Sequence, residues 1–420
     1  MNKSKILLIL PFIPYPLYSG GHQAIYNGIK AIIDKMDVYI TFDIEETPYF
    51  EENIHALQNS LNNQVKIVPY IVRPHIEKFS LIKRIHIILW TIKINILRIL
   101  GLYKENKIEH HVWTGKYLPK DNDHIDFIND LIKNNNINIV QCEMLQTASY
   151  VLTLPRDIKK VFVHHEIGFI REELNVKYKC KRPELYQEAL SINKKNEIDI
   201  LNQFDTIITL SSVDTKKLEE AGVVVPIYSS FAIVNQSNYK SFICENHYLL
   251  SFIGPCNHNP NLIGLEWFLH NCWMKLKETD KNYKLQIIGK WTNSLIKKYT
   301  KEYPDIDFKG FVEDLSLSIQ NSIMIVPITI GSGIRMKILE AAYNGVPVVS
   351  TSVGAEGLPL TNGVDCFIED TPEQFINAIL QLKDKTKREQ FINNSRNKIS
   401  NLYSLNSLKT NRLNILQKLI

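Results

Sequence analysis

Residues 325–358 read IVPITIGSGIRMKILEAAYNGVPVVSTSVGAEGL, and the order of their parts decides the fold. An apolar run ends in a Gly-Ser-Gly turn at Gly331, Ser332 and Gly333. A helix-forming segment carrying Arg335, Lys337 and Glu340 follows at once. Gly345 and Pro347 then lead into a second apolar run and another glycine-rich turn at Gly354 and Gly357. Strands that alternate with helices in this way predict a parallel sheet covered on both faces. Ligands of such sheets bind beyond the carboxyl ends of the strands, where both turns would lie.

The residue types of the first turn suit an anion. Glycine lets the backbone adopt positive φ and approach a ligand closely. The first N–H groups of the following helix lack internal partners and sit at the positive end of its dipole. Arg335 and Lys337 add two cations beside them, the charge that a diphosphate requires. Glu340, about one and a half turns into the expected helix, is an acceptor suited to sugar or ribose hydroxyls. The structural alternative is a tight turn with two solvated cations and a surface glutamate.

The string as a whole resembles the donor-binding segment of the family-4 retaining glycosyltransferases with the GT-B fold. The likeness extends upstream. Residues 249–268, LLSFIGPCNHNPNLIGLEWF, are similar to the first strand and helix of that family's nucleotide-sugar domain. Residues 306–327, with the turn Gly310-Phe311-Val312-Glu313-Asp314-Leu315, are similar to its strand–turn–helix–strand. The resemblance is close over residues 248–375 and looser before them. It implies donor-binding roles for Gly254, Gly289, Gly310, Phe311, Gly331, Ser332, Gly333 and Ile334, and catalytic roles for His165, Arg335, Lys337 and Glu340.

Two departures stand out. The family pattern has two glutamates eight positions apart; here Glu340 takes the second place and Ser332 stands in the first. The resemblance then leaves Glu340 to accept from the ribose, and hands the sugar contacts of the missing glutamate to the backbone N–H groups of Ser332, Gly333 and Ile334, or to nothing. After Gly254, where relatives carry an Arg and a Lys, this chain has Pro255, Cys256, Asn257 and His258. Arg335 and Lys337 are the replacements expected for that charge.

Outward from this block, the chain of 420 residues accommodates two such α/β domains. Residues 5–10 form an apolar run leading to a loop with Gly20 and Gly21, then a helix whose Ile25, Ile29, Ile32 and Ile33 share a face. Further buried strands are expected over 38–42, 137–141, 161–163 and 204–210, with loops over 142–146 and 164–168. Ser212 or Asp214 is expected as an N-cap. The divisions are a first domain over 1–235 for the acceptor, a linker over 236–247, a nucleotide-sugar domain over 248–400, and a last helix over 401–420. In GT-B enzymes that helix crosses back to the first domain. The fold class is thus α/β, two doubly wound Rossmann-like domains facing across a cleft.

Composition narrows the function classes. A net charge of +5 without an aromatic-interleaved basic motif argues against nucleic acid as a partner. Six cysteines without a CxxC pair argue against a zinc site or disulfide framework and for a reducing cytoplasm. No run of about eighteen apolar residues predicts a membrane span. The segment 76–104, IEKFSLIKRIHIILWTIKINILRILGLYK, is mostly apolar, interrupted by Lys78, Lys83, Arg84, Lys93 and Arg98, with Trp90 near the middle. That is the pattern of a basic amphipathic helix lying on a membrane surface, or of helices covering the sheet.

Other constellations follow. Gly20 and Gly21 are expected near the donor phosphates or the acceptor. His165, after a buried strand, matches the family's histidine near the transferred sugar, with His164 as runner-up. Glu143, at another strand end, is expected to line the acceptor side. Asp121-Asn122-Asp123 and Asp305-Ile306-Asp307 spell D-x-D, but a helix N-cap and a strand start account for them, and no metal is expected. The reading is a metal-independent, retaining transferase with a nucleotide-diphospho-sugar as co-substrate, no other cofactor, and a glycan or lipid-linked acceptor. The alternatives are a sugar-nucleotide epimerase of the same fold and a binding-only relative.

Overall fold

Lys5–Leu10 (β1), KILLIL, is buried along nearly its whole length, as a central parallel strand with both faces covered must be. The computed structural model describes residues 3–44, 50–72, 117–118, 120–180, 182–234 and 247–419. The segment 76–104 and most of the expected linker lie outside them.

Among the described residues, the first sheet around β1 has eight strands, all pairs parallel. They are β2 (Asp37–Ile44), β3 (Val65–Ile67), β4 (Tyr70–Ile71), β5 (Ile139–Glu143), β6 (Lys159–His164), β7 (Thr206–Thr209) and β8 (Ile227–Ser229). Their order is β3-β2-β1-β5-β6-β7-β8, with β4 on β2. The second sheet holds β9 (Leu249–Ile253), β10 (Lys284–Ile288), β11 (Ile306–Gly310), β12 (Ile323–Val326), β13 (Val348–Ser350) and β14 (Phe367–Ile368), also all parallel. Its order, β11-β10-β9-β12-β13-β14, is the doubly wound pattern that reverses direction between β9 and β12. The first sheet reverses between β1 and β5.

The helix Gly20–Ile32 buries Ile25, Ile29 and Ile32 against the sheet, and Ile33 follows as its C-cap residue, also buried. Several expected boundaries shift. β5 begins and ends two residues later than its apolar run suggested, so Cys142 and Glu143 belong to the strand rather than to a loop. Ser211, not Ser212 or Asp214, caps the helix Ser212–Ala221; its hydroxyl accepts from the Asp214 N–H and donates to the Asp214 carboxylate.

The two domains share a core. Leu339, Ala342 and Tyr343 of the second pack with Ile25, Ile29 and Ile233 of the first. After the long helix Lys385–Leu402, the helix Leu405–Gln417 lies against Gly20–Ile32, with Leu408, Ile415 and Leu416 buried in that core. Lys409 pairs with Asp34, and Asn411 donates to the Ser229 carbonyl at 3.4 Å. Among the described residues no helix is long and apolar enough to cross a membrane.

Candidate active site

The turn after β12 lies at the reversal of the second sheet and faces the first domain. Gly331 and Gly333 adopt φ of 113° and 81°, which side-chain-bearing residues rarely occupy. At Gly333 a Cβ would stand 2.9 Å from the His165 carbonyl oxygen, so this position requires both the conformation and the missing side chain. The turn is longer than expected. The helix begins at Met336, Arg335 takes its N-cap position, and Glu340 lies about one turn in rather than one and a half.

Arg335 is buried and Lys337 half-buried, and they do different things. The Arg335 guanidinium folds back on its own turn, donating to the carbonyls of Ser332, Gly333 (3.0 Å) and Ile330 (3.4 Å). Those bonds satisfy carbonyls that the turn leaves unpaired. Arg335 therefore staples the turn, a role its charge alone did not suggest. Lys337 points its ammonium at the end of β9, donating to the Ile253 carbonyl and to Asn261 Oδ1 at 2.8 Å, 5.1 Å from the centre of the Phe252 ring. Burial, with Arg335 nearby, pulls its pKa down to about 7. The same burial and the same two cations lower His258 to about 4.

Glu340 lies one helical turn from Lys337. Its Oε1 accepts from Gln23 Nε2 at 2.8 Å, a bond between the domains. Burial raises its pKa while that bond opposes the rise. Ser332 Oγ accepts from the Ile167 N–H at 3.3 Å, and Lys217 pairs with Glu356 at 2.8 Å, further links across the cleft.

Between the domains a cavity of about 470 Å³ is lined by Gly20, Gly21, His165, Gly254, Gly289, Phe311, Ser332, Gly333, Ile334, Arg335, Lys337 and Glu340, among others. Its size suits a nucleotide-sized ligand. Gly310 and Gly331 do not line it; they shape the turns behind it, with φ of 68° and 113°. Phe311 is 62% exposed, with Tyr18 edge-on to its ring at 5.8 Å.

Glu143 is the clearest correction. It does not line the cavity but lies buried behind it, where its Oε2 bonds His165 Nε2 at 2.6 Å and its Oε1 accepts from Gln141 at 2.7 Å. The reason is the period of the strand: Gln141 and Glu143 share a face of β5, and β6 beside it delivers His165 to that face. His164 is buried against Glu197 at 3.2 Å, and Glu197 also accepts from the N–H groups of Gly168 and Phe169. Sequence reading missed Gln23, Asn261 and His258. Only the H-x-x-N spacing of His258 and Asn261 after Gly254 lay near a recognised motif.

The D-x-D pairs are structural. Asp121 caps the helix Asn122–Asn135 through the His124 N–H at 2.9 Å. Asp305 pairs with Lys277 at 2.6 Å and Asp307 with Lys309 at 2.5 Å. Among the described residues no group of three His, Cys, Asp or Glu side chains is placed to hold a metal ion.

Residues 247–385 match the family described as glycosyl transferases group 1. The second domain belongs to that family. Beyond this group 1 domain, the chain is 23% identical over 403 residues to an uncharacterized 44.6 kDa protein in the cps region of Klebsiella pneumoniae, covering 90% of each. It superposes on a Staphylococcus aureus TarM variant in complex with UDP with a TM-score of 0.67, at 15% identity, covering 98% of this chain and 99% of that one. It superposes on HepE of Anabaena in complex with UDP with a TM-score of 0.66, at 12% identity, covering 99% and 100%. These likenesses establish the fold, GT-B, around the group 1 domain.

Proposed function

We propose that this protein is a retaining, metal-independent glycosyltransferase that moves a sugar from a nucleotide-diphospho-sugar to a glycan or lipid-linked acceptor in the synthesis of a bacterial surface polysaccharide. One observation carries the reading. A glycine turn at the reversal of the second sheet brings Lys337 and Glu340 to the same cavity as His165 of the first domain. The complexes of TarM and HepE with UDP, and the cps-region relative, support it.

The chemistry follows from the residues. Charge that develops on the leaving diphosphate is offset by the Lys337 ammonium and by the N–H groups of Ser332, Gly333 and Ile334, preorganised by the Arg335 staple. Glu340 accepts from ribose hydroxyls, with Gln23 holding one of its oxygens. His165, oriented by Glu143, hydrogen-bonds the transferred sugar. No divalent ion is needed where these groups supply the positive potential. The proposal includes a cytoplasmic location at the inner face of the membrane, resting on the basic, apolar composition of residues 76–104.

A thermal-shift series with UDP, GDP, ADP and their common sugars tests the reading. One nucleotide series should raise the melting midpoint, and Lys337→Met should remove the effect. Failure of every nucleotide to stabilise the protein would overturn it. Turnover of the sugar nucleotide to an epimer without acceptor would mean an epimerase, and binding without transfer or hydrolysis a binding-only relative.

A further inference from the structure

Beside the cleft, in the first domain, lies a second hollow of about 400 Å³, a volume within the range of small-ligand sites. Tyr117, Gln146, Ser149, Arg171, Asn193 and Glu197 are among its lining residues. Ser149 and Asn193 are only 8% and 2% exposed, and among the described residues neither side chain has a hydrogen-bond partner. Their polar atoms are not sealed off; they open on the one hollow, where donors and acceptors that the protein leaves unused can meet those of a ligand.

Charge restricts that ligand. Arg171 is held by Glu166 at 3.2 Å and Glu172 at 3.4 Å, and Glu197 is committed to His164 and the helix N-terminus at Gly168. The lining thus has no surplus cation for a phosphate or carboxylate. An amide, a hydroxyl and the rim amide of Gln146 both donate and accept, as the hydroxyls of a neutral sugar require. Leu118 and Leu145 add apolar surface for the face of a ring.

The position is also specific. Glu166 lines the donor cavity while its partner Arg171 lines the hollow, so one ion pair joins the linings of the two spaces. We propose that this hollow holds a neutral sugar ring of the acceptor, next to the reacting hydroxyl; this deepens the transferase reading and rests on it.

The test uses the full chain, saturated with whichever nucleoside diphosphate gives the largest thermal shift. Methyl glycosides of glucose, galactose, N-acetylglucosamine and rhamnose are the probes, with glycerol 3-phosphate as the anionic comparison, read by saturation-transfer NMR at up to ~10 mM. At least one glycoside should bind. Asn193→Leu and Ser149→Ala should each weaken it about tenfold or more, with nucleotide affinity unchanged. Gln146→Ala at the exposed rim should weaken it less and remains informative if Asn193→Leu fails to fold. The proposal is overturned if no glycoside binds, if the variants bind it as the wild type does, or if the same substitutions weaken glycerol 3-phosphate instead. Absence of any nucleotide-dependent thermal shift would count against the transferase reading, whatever the glycosides do.

Discussion

Lys337 yields a prediction with a sign and a magnitude. Burial and the nearby Arg335 lower its pKa from 10.5 to about 7. In the unfolded chain it titrates near its ordinary value of about 10.4. Between about pH 7 and pH 10 the unfolded state therefore binds more protons than the folded state. This group's cost to folding is complete below pH 7 and is relieved as pH rises toward 10. A diphosphate beside the ammonium favours the charged form and restores the proton. At pH 8 the free protein holds Lys337 about nine-tenths neutral, so nucleoside diphosphate binding should take up about 0.9 proton. Calorimetry in two buffers of different ionisation enthalpy measures that uptake. Affinity should fall about tenfold per pH unit above pH 7. Lys337→Met keeps the length of the side chain, removes the uptake, and should weaken binding by roughly 2–5 kcal/mol, about 30- to 5,000-fold. Tight binding at pH 8 without proton uptake, or with the same uptake in Lys337→Met, would refute the reasoning.

Four further substitutions probe the rest of the site. Arg335→Ala frees three turn carbonyls and should reduce transfer by about a hundredfold or more, whereas Ser332→Ala removes one 3.3 Å bond and should cost about fivefold or less; equal losses in the transfer assay would contradict the staple. Glu143→Gln should lower kcat roughly 10- to 100-fold through the loss of a charged partner of His165, with nucleotide affinity unchanged in titration calorimetry. An unchanged kcat would mean that His165 needs no carboxylate. Gly333→Ala places a Cβ near the His165 carbonyl at a positive φ and should destabilise the chain by about 1–3 kcal/mol in urea denaturation.

How much of this was legible beforehand differs from element to element. The alternation of apolar runs with helix patterns is local, and it located β9, β11 and β12 and the turn after β12 within a few residues. Boundaries moved where tertiary contacts extend an element. β5 runs on to Glu143 because β6 pairs with it that far, which no pattern along residues 137–146 could reveal. The helix after the glycine turn starts late because Arg335 is spent on the turn's carbonyls.

By itself, the sequence determined a pair of parallel α/β domains and a glycine turn with cations and a carboxylate beside it, because period and turn chemistry are written in neighbouring residues. Only the tertiary structure decided which cation braces the turn and which reaches across to the end of β9, that Glu143 stands behind His165, and that Gln23 reaches Glu340 from 317 positions away. Those roles depend on the distance between side chains brought together by two sheets, and a burial that shifts a lysine by several pKa units is a property of the surroundings rather than of the residue.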